Sequence, residues 1–202
     1  MSRDAATPLK RHGPRAGRRA DLRGRAASAV ARALRLASCV ALCATAGPAL
    51  AQDPPTEYRL KAAFLYNFAA FTEWPVEVGP TLRLCIHGAD PFGAEADALA
   101  GKAVGGRSLG VQRRVGLDAL PSCHMVFVAA SAMAQLPRIV DAVRGLPVLL
   151  VADSPGAAHQ GVALNMTLVQ GRVAFEANVE AARNARLVLS AKMLRLASEV
   201  LR

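Results

Sequence analysis

The chain has 202 residues, 52% of them hydrophobic, which suits one domain with a sizeable core, alone or behind a removable segment. Its formal charge of +10 suggests a nucleic-acid partner, but residues 1–51 hold ten of the 25 Lys and Arg and only two of the 15 Asp and Glu. From Gln52 onward 15 basic residues face 13 acidic ones, with no basic cluster beyond Arg113-Arg114, so the stripe that phosphates require is absent and nucleic acid is excluded as a partner.

Residues 1–51 read as an export signal and 52–202 as a single mature domain. A basic region runs to Arg35, an uncharged apolar stretch covers Leu36–Leu50, and Ala49-Leu50-Ala51 offers small residues where a signal peptidase reads. The stretch is shorter than the roughly 20 residues a bilayer span needs. The basic region is long for a signal, which fits a translation start downstream of Met1; the alternative is a basic arm followed by a short helix. Leu36-Ala37-Ser38-Cys39 resembles a lipoprotein box, but Arg32 and Arg35 interrupt the apolar run it needs. Cleavage after Ala51 leaves two cysteines, Cys85 and Cys123. In an exported protein these form a candidate disulfide, the alternative being two buried thiols.

After the linker Asp53-Pro54-Pro55, Thr56 is placed to cap a helix. Six of the nine aromatic residues fall in the seventeen-residue run Tyr58–Trp74, which Pro75 closes. On a helical wheel Leu60, Phe64, Asn67, Phe71 and Trp74 share an inward face, with Asn67 as a buried amide that fixes a loop and Trp74 as core. The opposite face carries Arg59, Ala62, Tyr66, Ala69 and Glu73. Of these, Tyr66, Ala62 and Glu73 are candidates for docking a partner.

Leu82–His87 alternates as a strand. Asp90-Pro91 then signals a helix start, with the helix running through Leu99 to Gly101. Lys102–Gly110 is a glycine-rich connection, Val111–Val115 a short strand and Cys123–Ala129 a buried one. Ala132–Arg144 is helical, with Pro137 in its first turn or at a kink. Pro147–Ala152 is another buried strand. Val162–Thr167 and Arg172–Glu176 form a hairpin through Gln170-Gly171. Asn178 caps a helical tail that breaks near 184–189 and restarts with Ser190 as a second cap. The fold class is α/β, with a mainly parallel sheet, an antiparallel hairpin at one edge and helices on both faces.

Ligands of such sheets bind beyond the carboxyl ends of the strands. There His87, Gly88 and Asp90, then Ser131, then Asp153 and Ser154 are candidates to line one crevice; Asp90 and Asp153 also read as caps and His87 as a polar strand end. No Gly-x-Ser-x-Gly elbow, no Gly-x-Gly-x-x-Gly loop and no metal-ligand spacing of His87, His124 and His159 is present. Hence no catalytic residue, metal or cofactor is expected, and a periplasmic enzyme of unknown class is the last alternative, behind a regulator and a small-ligand sensor. The tail carries Arg183, Arg186, Lys192, Arg195 and Arg202, either for an anion or acidic partner or as a solvated face.

Five segments in order resemble the YfiR family. They are Tyr58–Pro75 with its Lys-Ala-Ala-Phe-Leu-Tyr-Asn-Phe core, Leu84-Cys-Ile-His-Gly with Asp90-Pro-Phe-Gly93, Cys123-His-Met-Val-Phe-Val, Gly171-Arg-Val-Ala-Phe-Glu-Ala-Asn178 and Leu189–Ala197. The resemblance implies a bacterial periplasmic α/β protein, often dimeric. It implies a partner in the inner membrane, since the best-known member represses a diguanylate cyclase by binding its periplasmic region and so limits cyclic di-GMP and biofilm formation. Similar domains serve as sensor inputs, which extends the partner class to a sensor kinase and leaves room for a small-molecule ligand. Cys85 and Cys123 match a disulfide of the family. A second family disulfide near the fourth strand has no counterpart, and Arg186 replaces a glycine usual before the last Leu-x-Leu-Ser.

Overall fold

The computed structural model describes residues 57–202. The signal expected over 1–51 and the cap expected at Thr56 lie outside the described residues.

Helix α1 spans Glu57–Ala70 and buries Lys61, Ala62, Leu65, Phe68 and Ala69. That spacing keeps to one helical face, but not the face expected from the large side chains. Leu60 is 39% exposed and Asn67 lies in solvent, whereas Ala62 and Ala69 are buried. The two alanines let the helix axis come close to the sheet. Phe64 packs at the flank, its ring centroid 5.8 Å from that of Phe68 and 5.9 Å from that of Phe175. Two expectations are therefore corrected: Asn67 is an exposed residue and not a buried amide, and Ala62 is core.

The helix also ends earlier than Trp74. Its last carbonyls are taken by side chains that follow, Thr72 Oγ1 donating to Phe68 O at 2.7 Å and Trp74 Nε1 to Ala69 O at 2.9 Å. Trp74 thus acts from outside the helix, and Thr72–Glu73 is a short strand, β1.

Strand β2 is Thr81–His87. The helix expected from Pro91 shrinks to α2, Ala94–Asp97. Asp90 accounts for this: Oδ1 accepts from Phe92 N two residues on, at 2.8 Å, which turns the chain in place of capping a helix. The glycine-rich connection is itself a hairpin, β3 (Ala103–Val104) with β4 (Arg107–Arg113), so the strand begins before Val111. Gly105 and Gly106, at φ 54° and 81°, supply the two positive angles of its turn. A 3-10 turn over Leu117–Ser122 leads to β5, Met125–Val128. A second, Ala130–Gln135, leads to α3, Leu136–Ala142, with Pro137 in the first turn as expected. Strands β6 (Leu149–Ala152), β7 (Leu164–Val169) and β8 (Arg172–Asn178) follow.

Asn178 Oδ1 accepts from Ala181 N at 2.8 Å and caps α4, Val179–Asn184. Ser190 Oγ accepts from Met193 N at 3.2 Å and caps α5, Ala191–Leu194. Between them Arg186 adopts φ 56°, so the break persists without the glycine, and β9 (Val188–Leu189) forms. Strand β10 is Glu199–Leu201.

The main sheet has the order β10-β8-β7-β6-β5-β2-β4-β3, and β1 pairs with β9 in a separate antiparallel ribbon. Strands β7, β6, β5, β2 and β4 are mutually parallel; β8 and β3 are antiparallel to their partners, and β10 lies parallel to β8 outside the hairpin. The strand period of two divides the core. Leu84, Ile86, Phe127 and Val151 face α1, while Cys85, Val126, Val128 and Leu150 pack with Leu120, Leu136 and Ile139 on the other side. Helices therefore cover both faces.

Candidate functional site

The carboxyl edge of β2, β5 and β6 carries the domain's buried polar chemistry. Lys61 reaches it from α1: its ammonium donates to Asp153 Oδ2 at 2.8 Å and to Glu57 Oε1 at 2.5 Å, and stands 4.7 Å from the Tyr58 ring centroid. The Lys61 and Asp153 side chains are each 6% exposed. Burial alone would lower the Lys61 pKa, but the hydrogen bonds it donates to Asp153 and Glu57 outweigh it and hold the ammonium above its ordinary range. Burial, reinforced by the Asp153 charge, raises the Tyr58 phenol.

Beside this pair, Asn165 on β7 is fully buried. Its Oδ1 accepts from Ser154 N at 3.2 Å and its Nδ2 donates to Glu176 Oε2 of β8 at 3.0 Å. One amide thereby ties the end of β6 to β7 and β8.

A second group forms after β2. His87 is buried, its Nδ1 lies 2.7 Å from Val115 O and therefore carries the proton, and its Nε2 has no hydrogen-bond partner among the described residues. Gly88 adopts φ 96°, and a Cβ there would stand 2.8 Å from Ser131 Oγ. Ser131 Oγ accepts from Ala89 N at 2.8 Å. Asp90 Oδ2 accepts from Arg113 Nε at 2.6 Å, and the same guanidinium donates to Asp97 Oδ1 at 2.7 Å and Gly93 O at 2.8 Å. The structure thus joins His87, Gly88, Asp90 and Ser131 around one turn, while Asp153 is held by Lys61. Both aspartates are engaged with cations of the domain. Lys61, Asn165, Glu176 and Arg113 are not among the site residues expected from sequence. The signal for two of them was a charge on the inward face of α1 and an amide inside the apolar run Leu164-Asn165-Met166.

Cys85 and Cys123 form a disulfide between β2 and the residue pair before β5, with Cα atoms 6.0 Å apart. Both are fully buried under Leu120 and Ile139.

The residues expected to dock a partner are dispersed. Ala62 is buried. Tyr66 is half-buried, its hydroxyl donating to Ala103 O at 2.9 Å with the Lys102 ammonium 5.7 Å from the ring centroid. Glu73 is exposed on β1 opposite Val188, and nearby Arg186 Nη1 lies 3.7 Å from Glu77 Oε1. Arg183 is exposed on α4. Among the described residues no cluster of His, Cys, Asp and Glu could hold a metal, and no helix is long and apolar enough to cross a membrane.

Parallel strands covered on both faces, with polar groups gathered at their carboxyl edge, define an α/β domain of the three-layer class. The chain belongs to the YfiR/HmsC-like family, whose model matches residues 58–198. No curated protein matches it. Among solved structures it is similar to a conserved domain protein from Vibrio cholerae, with a TM-score of 0.45 and 6% identity over 72% of this chain and 60% of that one. It is also similar to an ABC domain from Streptococcus pneumoniae in complex with L-Trp, with a TM-score of 0.47 and 9% identity over 71% of this chain and 60% of that one.

Proposed function

We propose that the chain is a non-catalytic periplasmic regulator that binds and represses the periplasmic region of an inner-membrane signalling protein, a diguanylate cyclase or a sensor kinase. Membership of the YfiR/HmsC-like family across 58–198 carries this reading. The engagement of Asp90 with Arg113 and of Asp153 with Lys61 supports it, because these groups serve the fold. The β1–β9 ribbon is the docking surface of this reading. On it Val188 is 55% exposed opposite Glu73, and just past β1 Val76 is 94% exposed beside Glu77, which pairs with Arg186. The working form is the exported domain, as a homodimer.

Deletion of the gene raises cyclic di-GMP, and affinity capture with the mature domain recovers a membrane protein that Val76→Asp/Val188→Asp no longer retains. Unchanged cyclic di-GMP with no membrane partner refutes the proposal. Light scattering on the mature domain checks the homodimer. A second reading, a small-ligand sensor, rests on the buried and unpartnered Nε2 of His87 at the carboxyl edge. A thermal-shift panel of amino acids and nucleotides at roughly millimolar concentration tests it, and no shift removes it.

A further inference from the structure

The C-terminal elements line an open cavity of about 530 Å³, away from the carboxyl edge. Arg183 of α4, Arg195 after α5 and Arg202 after β10 stand on its rim, over a wall of Val179, Leu194 and Val200. The three arginines are exposed and the three apolar residues half-buried.

What sets these arginines apart is that three of them share one concavity without a partner among the described residues; Arg114, Arg138 and Arg172 also lack one but do not line it. Arg113 holds two carboxylates, Arg144 pairs with Asp141, Arg186 with Glu77, and Arg83 and Arg107 donate to backbone carbonyls. Arg183, Arg195 and Arg202 have no ion pair or side-chain hydrogen bond among the described residues. Three like charges around one concavity repel one another, and a bound anion reverses that cost. Guanidinium forks match the planar or trigonal oxygens of carboxylate and phosphate. The apolar wall adds contact that a bare inorganic ion cannot use, and the volume falls in the small-molecule range of about 300–1,000 Å³.

We propose that this cavity binds a small organic anion. Its carboxylate or phosphate groups engage Arg183, Arg195 and Arg202, and its apolar body rests on Val179, Leu194 and Val200. The proposal goes beyond the repressor reading and does not depend on it.

The test is calorimetric titration of the oxidised, exported protein at low salt with three probes. Phenyl phosphate and phthalate separate phosphate from carboxylate recognition, and inorganic phosphate reports the charge alone. The expected result is saturable one-to-one binding of at least one organic probe, about tenfold tighter than inorganic phosphate. Arg183→Gln/Arg195→Gln and, separately, Arg202→Gln each weaken it about tenfold, whereas Arg138→Gln on the exposed side of α3 leaves it unchanged. All these side chains are exposed, so the variants keep the wild-type melting temperature. No binding of either organic probe at about 10 mM overturns the proposal. So does affinity no better than that of inorganic phosphate, or binding indifferent to the cavity arginines.

Discussion

Lys61→Met is the most informative perturbation of the carboxyl edge. Methionine keeps much of the apolar stem in place on α1 and removes only the charge. At 2.8 Å and an effective dielectric near 20, the Lys61–Asp153 attraction is about 6 kcal/mol. Most of it offsets the desolvation of two side chains that are each 6% exposed. Removing one partner leaves Asp153 buried and uncompensated, at a cost of about 3–5 kcal/mol. Glu57 contributes little to that cost, because its side chain is 41% exposed and can turn to water. For a domain of this size the melting temperature falls by about 6–20 °C. The assay is urea denaturation with calorimetry at neutral pH on oxidised protein, beside Lys61→Met/Asp153→Leu. The double variant removes both charges together and recovers to within about 1 kcal/mol of wild type. A single-variant cost below about 1 kcal/mol, or a double variant no more stable than the single, refutes the buried-pair account. The pH dependence adds a check. A lysine pKa raised above 10.5 contributes stability that is complete below that value and is lost as pH climbs through the folded value. The gap between wild type and Lys61→Met therefore closes only in strong alkali.

The Cys85–Cys123 bond closes a loop of 38 residues, worth about 4 kcal/mol in chain entropy, and both cysteines are fully buried. Millimolar reductant leaves it intact in native protein and cleaves it once denaturant is added; rapid reduction without denaturant, followed by thiol labelling, would show an accessible switch instead. Gly88→Ala combines a φ of 96° with a Cβ 2.8 Å from Ser131 Oγ, and lowers stability by more than about 1 kcal/mol in equilibrium unfolding. Asn165→Leu strands the Ser154 N–H and the Glu176 carboxylate, and costs about 1–3 kcal/mol by the same measurement.

Features that rest on local chemistry are legible in the sequence. The caps at Asn178 and Ser190 and the turn at Gln170-Gly171, whose φ angles are 51° and 75°, each depend on a few adjacent residues. The buried strands declared themselves as apolar runs, and the two cysteines paired. Where the reading failed, a partner distant in sequence had decided the outcome. Asp90 carries a helix-start signature, yet Arg113 holds its second oxygen and its first turns the chain at Phe92. The largest side chains of α1 suggest one inward face, whereas close approach to a sheet favours the smallest, so Ala62 and Ala69 lie inward and Leu60 outward. Tyr66, expected as a free docking residue, is held by Ala103 O. Nothing local marks Lys61 for burial, because its partner Asp153 lies 92 residues away.

The same distinction bears on where this domain can meet other molecules. Long-range pairing has drawn the charged groups of the carboxyl edge into the fold: Asp90 to Arg113, Asp153 to Lys61, Glu176 to Asn165. Groups held in this way have little binding energy left for a partner, because engaging one means breaking an existing pair at a cost that leaves the other member uncompensated. Recognition therefore falls to groups the fold has not used. Among those described, these include His87 Nε2, the exposed Val188 of β9, and the arginines around α4, α5 and β10. The last two follow one another along a single stretch of chain, in which β9 lies between α4 and α5. An anion that orders the arginines acts on the two helices that flank β9, so its effect on partner affinity is measurable as a ratio of two dissociation constants, with and without the anion.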